Sequence, residues 1–371
     1  MFYSSFAPNP RFTKYLVKNE ILKNRSLAVV DVGSRGGPEH HWTNYGNAVR
    51  FVGFEPDPEE CERLNNSLDP ESKSRFYPVA LYKDKGSYVF YHNQASAASG
   101  LYPADQKIVS RFPDEENLKI RKTSIIHTTD FDSFIKDYNI PDIDFMKIDA
   151  EGADLDILKG SVNQLKKSVL GISCEVLFAP WRGEGRGFSE IEQFLRPLGF
   201  KLYDLNLYRY AKKSFPGIDS VAPFAGGTAH YGQIVLGQAI FFRDPVAEIE
   251  NKKILLSDWD ETRILKAASL FEVFRLPDCA IELIDTAFKN KIITDSEKIN
   301  MDKFRDLVTS GFLGRATTYE RHLQKLANIK KRGYLNNFER LKPFLKRIPC
   351  LMGVRSFIKK QIAYHRNNYT S

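Results

Sequence analysis

Cysteine is scarce in this sequence of 371 residues, and the four cysteines that it contains lie far apart. There is no Cys-x-x-Cys pair and no neighbouring histidine cluster, so the ligand spacing of a structural zinc site is missing. Scattered cysteines are also typical of proteins kept in a reducing compartment. The sequence therefore predicts a cytoplasmic location.

Long apolar runs are lacking as well. Nowhere do about 18 apolar residues follow one another, the length that a membrane-spanning helix needs. Residues 1–10 have neither the basic start nor the apolar stretch of an export signal. With 42% hydrophobic and 27% charged residues, the composition excludes the disordered, collagen-like and coiled-coil classes. We expect a folded protein without an export signal or a membrane span.

Acidic residues are depleted at one end of the chain only. Residues 319–371, here called the basic tail, contain 13 Lys and Arg against 2 Asp and Glu, a net charge of +11. Residues 1–318 contain 41 basic and 44 acidic residues, a net charge of −3. The basic tail either contacts an anionic polymer or the inner face of an anionic membrane, or is an ordinary basic terminus. Nucleic acid is the less favoured partner.

Apolar runs alternate with amphipathic segments in the first two thirds of the chain. Predicted strands cover residues 27–32, 51–55, 76–81, 124–128, 143–149 and 169–176. Predicted helices between them cover residues 58–68, 130–138 and 153–166. This alternation is typical of an α/β fold with a doubly wound, mostly parallel sheet. Two later runs, 201–205 and 233–243, are predicted to be strands that face each other.

Helical periodicity is found on either side of this α/β region. Residues 11–24 form one predicted helix, and residues 262–274, 278–288 and 296–309 form three more. We therefore divide the chain into an N-terminal helical brace (1–26), an α/β domain (27–247), an α-helical region (248–318) and the basic tail (319–371).

The strongest local motif is a buried strand that runs into a glycine-rich turn, Asp-Val-Gly-Ser-Arg-Gly-Gly at positions 31–37. Glycines allow positive φ and let a ligand approach the backbone closely, and the N–H groups at a helix start point at the polar end of such a ligand. Asp31 suits a ligand with an ammonium group better than a pyrophosphate. Taken alone, the motif is also compatible with a tight strand-to-helix turn that binds no ligand.

A second acid, Glu55, lies 24 positions after Asp31, at the end of the next predicted strand. Sheets that bind a ribose place a carboxylate near this interval, where it accepts hydrogen bonds from both ribose hydroxyls. The fingerprint Gly-x-Gly-x-x-Gly is absent, which disfavours a nicotinamide-dependent oxidoreductase.

A third motif brings two acids, Asp149 and Glu151, to the end of the predicted strand 143–149. The carboxyl edge of an open α/β sheet is where ligands bind. On spacing alone, the pair is either part of a site or a helix cap and first-turn acid that the helix dipole favours.

Together these motifs resemble the FkbM-type S-adenosylmethionine-dependent methyltransferases of the class I fold, over roughly residues 28–177 and more loosely to 243. The resemblance is carried by the glycine turn at 31–37, Gly-Phe-Glu-Pro-Asp at 53–57, Val-Ala-Leu at 79–81, Ser-Gly-Leu at 99–101, Thr-Asp-Phe-Asp at 129–132 and Phe-Met-Lys-Ile-Asp-Ala-Glu-Gly-Ala at 145–153. Glu175 matches the acid that usually ends the next strand. Two departures are mild: Arg35-Gly36 replaces small or apolar residues, and Ala150 replaces the commoner Val.

The resemblance implies a seven-stranded, Rossmann-like class I sheet and S-adenosyl-L-methionine as the cofactor. The implied cofactor residues are Asp31, Gly33, Ser34 and Gly37 around the methionine portion, Glu55 and Pro56 at the ribose, Ala80 and Leu81 at the adenine, and Asp149 beside the methyl group.

Methyl transfer to a hydroxyl needs alignment and a group that takes the hydroxyl proton. The candidate catalytic residues are Asp149, Glu151, Glu175 and His230. His230, in a loop, is either a base or an idle exposed side chain. A divalent metal held by the carboxylates is the less favoured alternative, and no metal ligand is assigned.

The stretch 206–229 interleaves aromatic and basic residues, which suits the face of a sugar and an acidic acceptor, or simply the packing of a long connection. We expect an O-methyltransferase that acts on a hydroxyl of a sugar, in a polysaccharide or a lipid-linked glycan. The alternatives are an O-methyltransferase of a small secondary metabolite and a non-catalytic binding module that keeps the cofactor fold.

Overall fold

The computed structural model describes residues 6–215, 229, 231–251, 259–312 and 321–326. The strands are β1 (Leu27–Val32), β2 (Val49–Phe54), β3 (Arg75–Tyr77), β4 (Ala80–Leu81), β5 (Gly86–Asn93), β6 (Ile120–Thr129), β7 (Phe145–Ile148), β8 (Gly171–Leu177), β9 (Phe200–Tyr210) and β10 (Gln233–Arg243). The helices are α1 (Arg11–Lys18), α2 (Pro58–Asn66), α3 (Gln106–Val109), α4 (Phe131–Asp137), α5 (Asp154–Lys159), α6 (Val162–Lys167), α7 (Phe188–Leu195), α8 (Pro245–Asn251), α9 (Glu261–Val273), α10 (Pro277–Lys289) and α11 (Met301–Gly311).

Seven strands form one sheet in the order β3-β2-β1-β7-β8-β10-β9. The first five of these run parallel, whereas β10 is antiparallel to both of its neighbours. The prediction of a mostly parallel, seven-stranded class I sheet with an N-terminal helix and a C-terminal helical region is confirmed.

The centre of the sheet is β1, and every residue of this strand is buried. Val29 packs into the core on one face and Val30 into the core on the other, and Phe145 and Met146 of β7 divide in the same way. A strand covered on both faces must be apolar almost throughout, which explains the continuous run in the sequence.

Helices cover both faces of the sheet. On one face lie α1, a 3₁₀ segment (His40–Ala48) and the C-terminal helices α9 to α11, which share a single hydrophobic cluster with β1 and β7. On the other face lie α4 to α7. The terminal helices therefore belong to the core that supports the sheet.

Two buried acids connect the C-terminal helices to the rest of this core. Asp144, just before β7, accepts hydrogen bonds from the Lys266 ammonium group at 2.7 Å and from the Ala28 N–H at 2.8 Å. Glu272 of α9 accepts from the N–H groups of Phe12 and Thr13 at 2.9 and 2.8 Å, and from the Thr13 hydroxyl at 2.7 Å. Burial raises the pKa of Glu272 to about 7 even though these donors favour the carboxylate.

Three local predictions were wrong. The run 124–128 lies within β6, and β6 belongs to a separate three-stranded sheet, β4-β6-β5, whose strand β5 was not predicted. Most residues of β6 are exposed, so the pattern of a buried parallel strand did not apply to it. Residues 76–81 divide between the two sheets. The predicted helix 153–166 is interrupted at Gly160, where a Cβ would lie 2.4 Å from the Tyr82 carbonyl oxygen.

The chain divides into two compact units, Met1–Gly314 and Arg315–Ser371. Of the second unit the structure describes residues 321–326, so nearly all of the basic tail lies outside the described residues. In the part of the chain that is described, no helix has both the length and the apolar character needed to cross a membrane.

Candidate active site

A cavity of about 740 Å³ opens at the carboxyl ends of β1, β2 and β7. This volume is in the range of small-molecule and cofactor sites, and the position is the one at which open α/β sheets bind ligands. Its floor comes from the sheet edge, and one wall comes from the antiparallel strands β5 and β6. The floor includes Gly33, Glu55, Pro56, Ala80, Leu81, Asp149 and Glu151, and the two strands of the wall contribute Phe90, His92, Lys122 and Ser124.

The turn after β1 passes very close to the strand beside it. Gly33 has a φ of +72°, and a Cβ on this residue would lie 2.1 Å from the backbone oxygen of Asp149. Its N–H and that of Ser34 both donate to the Phe54 carbonyl, at 3.0 and 3.2 Å. Glycine is therefore required at position 33, because any side chain would push apart the ends of β1 and β7.

Asp31 forms an ion pair inside the protein. Its register partner in β7 is Lys147, whose Nζ lies 3.2 Å from Asp31 Oδ1, 3.7 Å from Asp149 Oδ2 and 3.1 Å from the Gly33 carbonyl oxygen. Burial raises the pKa of Asp31, although Lys147 counteracts this shift. Burial would lower the pKa of Lys147, but Asp31 and Asp149 together raise it. Lys147 thus carries a positive charge among these acids.

Glu55 follows β2 and is only 5% exposed. One carboxylate oxygen, Oε1, accepts a hydrogen bond from the Asp57 N–H at 3.0 Å, and the Arg35 guanidinium lies 3.7 Å from it. Arg35 pairs more closely with Asp57, at 2.7 Å. Burial raises the pKa of Glu55 despite these two contacts. The carboxyl group faces the cavity with acceptor capacity left for a ligand hydroxyl.

Asp149 and Glu151 both line the cavity, but their carboxylates differ in their surroundings. The side chain of Asp149 is 45% exposed, and its nearest cation is Lys147. Glu151 is in the left-handed region with a φ of +53°, and its carboxylate pairs with the buried guanidinium of Arg182. Asp149 is the more accessible of the two acids.

Two further acids lie beneath this edge. Glu175, near the end of β8, has a pKa raised well above its ordinary value by burial and by the negative charges of Glu151 and Asp149. Asp154, at the start of α5, is 2% exposed, and neither carboxylate oxygen has a hydrogen-bond partner in the described structure. Burial and then Asp149 raise the pKa of Asp154 to about 7. Both groups hold a proton more readily than a free carboxylate does.

The structure brings most of the predicted site residues to this edge of the sheet. Those that line the cavity are Gly33, Glu55, Pro56, Ala80, Leu81, Asp149 and Glu151. Asp31, Ser34, Gly37 and Glu175 lie outside its lining, although the first three belong to the strand and turn that carry Gly33. His230 lies outside the described residues. The assignment of these residues to cofactor or catalysis stays a prediction.

Sequence reasoning did not identify Lys147, the pairing of Arg182, or Phe90 and His92 of β5. A charged residue inside an apolar strand, as in Phe-Met-Lys-Ile, was the available signal for Lys147. The glycine-rich loop 181–187 suggests substrate contacts, but no local signal indicated the pairing of Arg182, because its partner Glu151 lies 31 positions away.

The described residues offer no group of three or more His, Cys, Asp or Glu side chains arranged to hold a metal ion. Three carboxylates at or beneath the cavity pair with cations: Asp31 and Asp149 with Lys147, and Glu151 with Arg182.

Comparison with known proteins identifies a family domain. Residues 31–202 match the model of the methyltransferase FkbM domain. The matched range contains Asp31, Glu55, Asp149 and Glu175, and it ends before position 230. No curated protein matches the chain.

Similar solved structures include the methyltransferase FkbM from Methylobacillus flagellatus KT, with 13% identity and a TM-score of 0.33, over 58% of this chain and 43% of that one. This chain therefore spans less than half of that protein. Another is a TehB-like SAM-dependent methyltransferase from Corynebacterium glutamicum, with 11% identity and a TM-score of 0.27, over 64% and 90% of the two chains. A third is the magnesium protoporphyrin IX methyltransferase from Synechocystis with bound SAM, with 9% identity and a TM-score of 0.29, over 62% and 76%.

The close approach at Gly33 gives a stability prediction. Gly33→Ala should lower the free energy of unfolding by roughly 3 kcal/mol or more, because it combines a left-handed backbone with a backbone clash. Gly36→Ala is the matched control: its φ is +85°, but a Cβ there meets nothing within 4 Å. We expect a cost of about 1–2 kcal/mol for that variant. Urea unfolding followed by circular dichroism compares the two, and equal costs would refute the role of the Asp149 backbone contact.

Proposed function

Residues 31–202 of this chain match the model of the methyltransferase FkbM domain, and from this match we propose an S-adenosylmethionine-dependent O-methyltransferase that acts on a hydroxyl of a sugar, in a polysaccharide or a lipid-linked glycan. The observation that carries the proposal is the Asp149 carboxylate, an exposed acid beside a cavity that has a glycine turn at one end and a buried acid on its floor.

The residues of the cavity fit the proposed cofactor. The Gly33 turn leaves room at the backbone, and the buried carboxyl group of Glu55 suits the two ribose hydroxyls. The apolar residues Ala80 and Leu81 suit the adenine ring. When bound, S-adenosylmethionine supplies a methyl group activated by a sulfonium centre. Asp31 is already paired with Lys147, so in our proposal it acts by anchoring the turn and not by direct contact.

Asp149 is the best placed of the four predicted catalytic residues to take the hydroxyl proton. Glu151 is held by Arg182, and Glu175 lies outside the lining of the cavity, so neither carboxylate is as accessible to an acceptor hydroxyl as that of Asp149. A carboxylate positioned within hydrogen-bond reach of the acceptor hydroxyl both orients it and accepts its proton as the new bond forms.

Exposed aromatic rings near the same edge support a sugar acceptor. Phe178 follows β8, Tyr208 lies near the end of β9, and Tyr231 precedes β10, with exposures of 39%, 37% and 64%. Because β10 runs antiparallel to β8, all three positions lie at the carboxyl edge of the sheet. Aromatic faces with polar groups nearby offer both an apolar surface and hydrogen-bond partners to a sugar ring.

Removal of the Glu55 carboxylate should weaken cofactor binding. We expect Glu55→Ala to lower the affinity for S-adenosylhomocysteine by about 1.5–3 kcal/mol, or roughly 10- to 150-fold, because charge-assisted hydrogen bonds to the ribose are lost. Calorimetry measures the difference. Glu62→Ala, on the exposed side of α2, is the control and should bind like the wild type. An unchanged affinity in Glu55→Ala, or binding of NAD instead, would contradict the assignment.

Removal of the proposed base should slow methyl transfer without weakening the binding of the cofactor. Asp149→Asn is expected to reduce turnover by about 100-fold or more, the lower range for a general base. The assay uses a labelled methyl donor with extracts of cellular glycans and lipids, followed by mass analysis of the product. Asp142→Asn, an exposed acid before β7, serves as the control.

Other outcomes of this assay assign the role elsewhere. Normal turnover by folded Asp149→Asn would transfer the base to Glu175 or His230, and loss of turnover with a chelator would indicate a divalent metal. If only small metabolites are labelled, the acceptor is a small metabolite and not a sugar.

We also propose, from charge alone, that the basic tail contacts an anionic membrane surface. Deletion of residues 334–371 should then leave S-adenosylhomocysteine binding intact but abolish co-sedimentation with anionic lipid vesicles. Co-sedimentation of the full chain should fall as salt rises, because charges are screened beyond about 8 Å at physiological ionic strength. A lower melting temperature with unchanged vesicle binding would show that the tail supports the fold instead.

A further inference from the structure

Arg182 joins two separate pieces of the cavity wall, the turn after β7 and the 96–102 segment. It lies in the loop between β8 and α7, and its side chain is 4% exposed. The guanidinium group donates to the Glu151 carboxylate, to the Ala98 carbonyl oxygen at 2.8 Å and to the Tyr102 carbonyl oxygen at 3.2 Å. A buried guanidinium with several acceptors in fixed positions is a rigid connection, because its planar donors are pre-organised.

Two of these acceptors belong to the 96–102 segment, which contributes Ser96, Ala97, Ser99, Gly100 and Leu101 to the lining of the cavity. The segment is joined to β5 through Tyr91 and Gly100, whose backbones exchange hydrogen bonds at 2.9 and 3.2 Å. It also rests on the turn after β7: a Cβ on Gly100 would lie 3.1 Å from the Cβ of Glu151. The segment is thus held between β5 and the turn that follows Asp149.

That turn has an unusual backbone. Glu151 and Gly152 both have positive φ, +53° and +91°, and a Cβ on Gly152 would meet the Cβ and Cγ of Arg182 at 2.9 and 3.0 Å. A non-glycine residue in the left-handed region costs free energy and persists only where its surroundings hold it. Here the ion pair with Arg182 holds the side chain of Glu151, and the absent side chain of Gly152 makes room for the stem of Arg182.

We propose that Arg182 is a positioning residue, which fastens the 96–102 segment to the turn after β7 and so fixes the cavity before a ligand enters. Glu151 then serves as an anchor for Arg182 and not as a base. The inference rests on the proposed function only in taking the ligand of this cavity to be the methyl donor. The positioning role itself concerns the ligand-free protein.

Hydrogen exchange in the ligand-free protein tests the fastening directly. In Arg182→Met, exchange of the Gly100 N–H and its neighbours in the 96–102 segment should be at least about tenfold faster, while exchange in β1 stays unchanged. Arg182→Lys, which keeps the charge and can reach part of the acceptor set, should restore part of the protection. Arg196→Met is the matched control, because Arg196 pairs with Glu192 on the exposed side of α7 and should change nothing in the segment.

The Glu151→Gln variant tests the Glu151 end of the connection separately from the Arg182 end. An amide oxygen can still accept from Arg182, so the 96–102 segment should stay protected in this variant, and binding of S-adenosylhomocysteine is measured beside the exchange. Arg182→Met should weaken the same binding by about tenfold or more. If Arg182→Met proves unstable because it leaves a carboxylate unpaired, the double variant Arg182→Met/Glu151→Gln removes that charge and should still show fast exchange in the segment.

Exchange that accelerates equally throughout Arg182→Met, or a segment that stays protected in both Arg182 variants, would overturn the positioning role. If the wild type fails to bind S-adenosylhomocysteine and yet shows the expected exchange pattern, the proposed function fails and the positioning role stands.

Discussion

This site depends on the ion pairs that the ammonium group of Lys147 forms with Asp31 and Asp149. Asp31 is buried at the centre of the sheet, and Asp149 extends from the end of the neighbouring strand, so two negative charges meet where the strands converge. A buried charge without a partner is so unfavourable that the pKa of the group shifts or the surrounding groups rearrange. Lys147 lies between the two acids and also bonds to the Gly33 carbonyl, which lets the acids and the turn occupy one small region.

The backbone imposes the next constraint. Gly33 brings the turn after β1 against the Asp149 carbonyl, and the turn after β7 passes through two residues of positive φ before α5 begins. These two turns leave the floor of the cavity little freedom, so variation between related proteins is expected in its walls. The walls are loops and the antiparallel strands β5 and β6, and loops tolerate change more readily than the central sheet.

Much of the floor of the site could be predicted from the sequence because its acidic residues lie at or shortly after the ends of strands. Asp31, Glu55 and Asp149 stand at the ends of apolar runs, and parallel strands end at one edge. The walls could not be predicted in this way. Arg182 meets Ala98 and Glu151 across long sequence separations, and β6 pairs with β4 and β5 outside the main sheet. Alternation of apolar and polar residues is a local signal and carries no information on such pairings.

The contacts of Glu272 have a consequence for how the chain folds. Its carboxylate accepts hydrogen bonds from residues 259 and 260 positions earlier, at the very start of α1. During synthesis at about 5–20 residues per second, the first helix waits on the order of ten to fifty seconds for its partner to be made. Until then one face of the central sheet has α1 and the 3₁₀ segment available but lacks the cover that α9 to α11 provide. Contacts of such long range slow folding, and the nascent chain is open to aggregation or to chaperones throughout that interval.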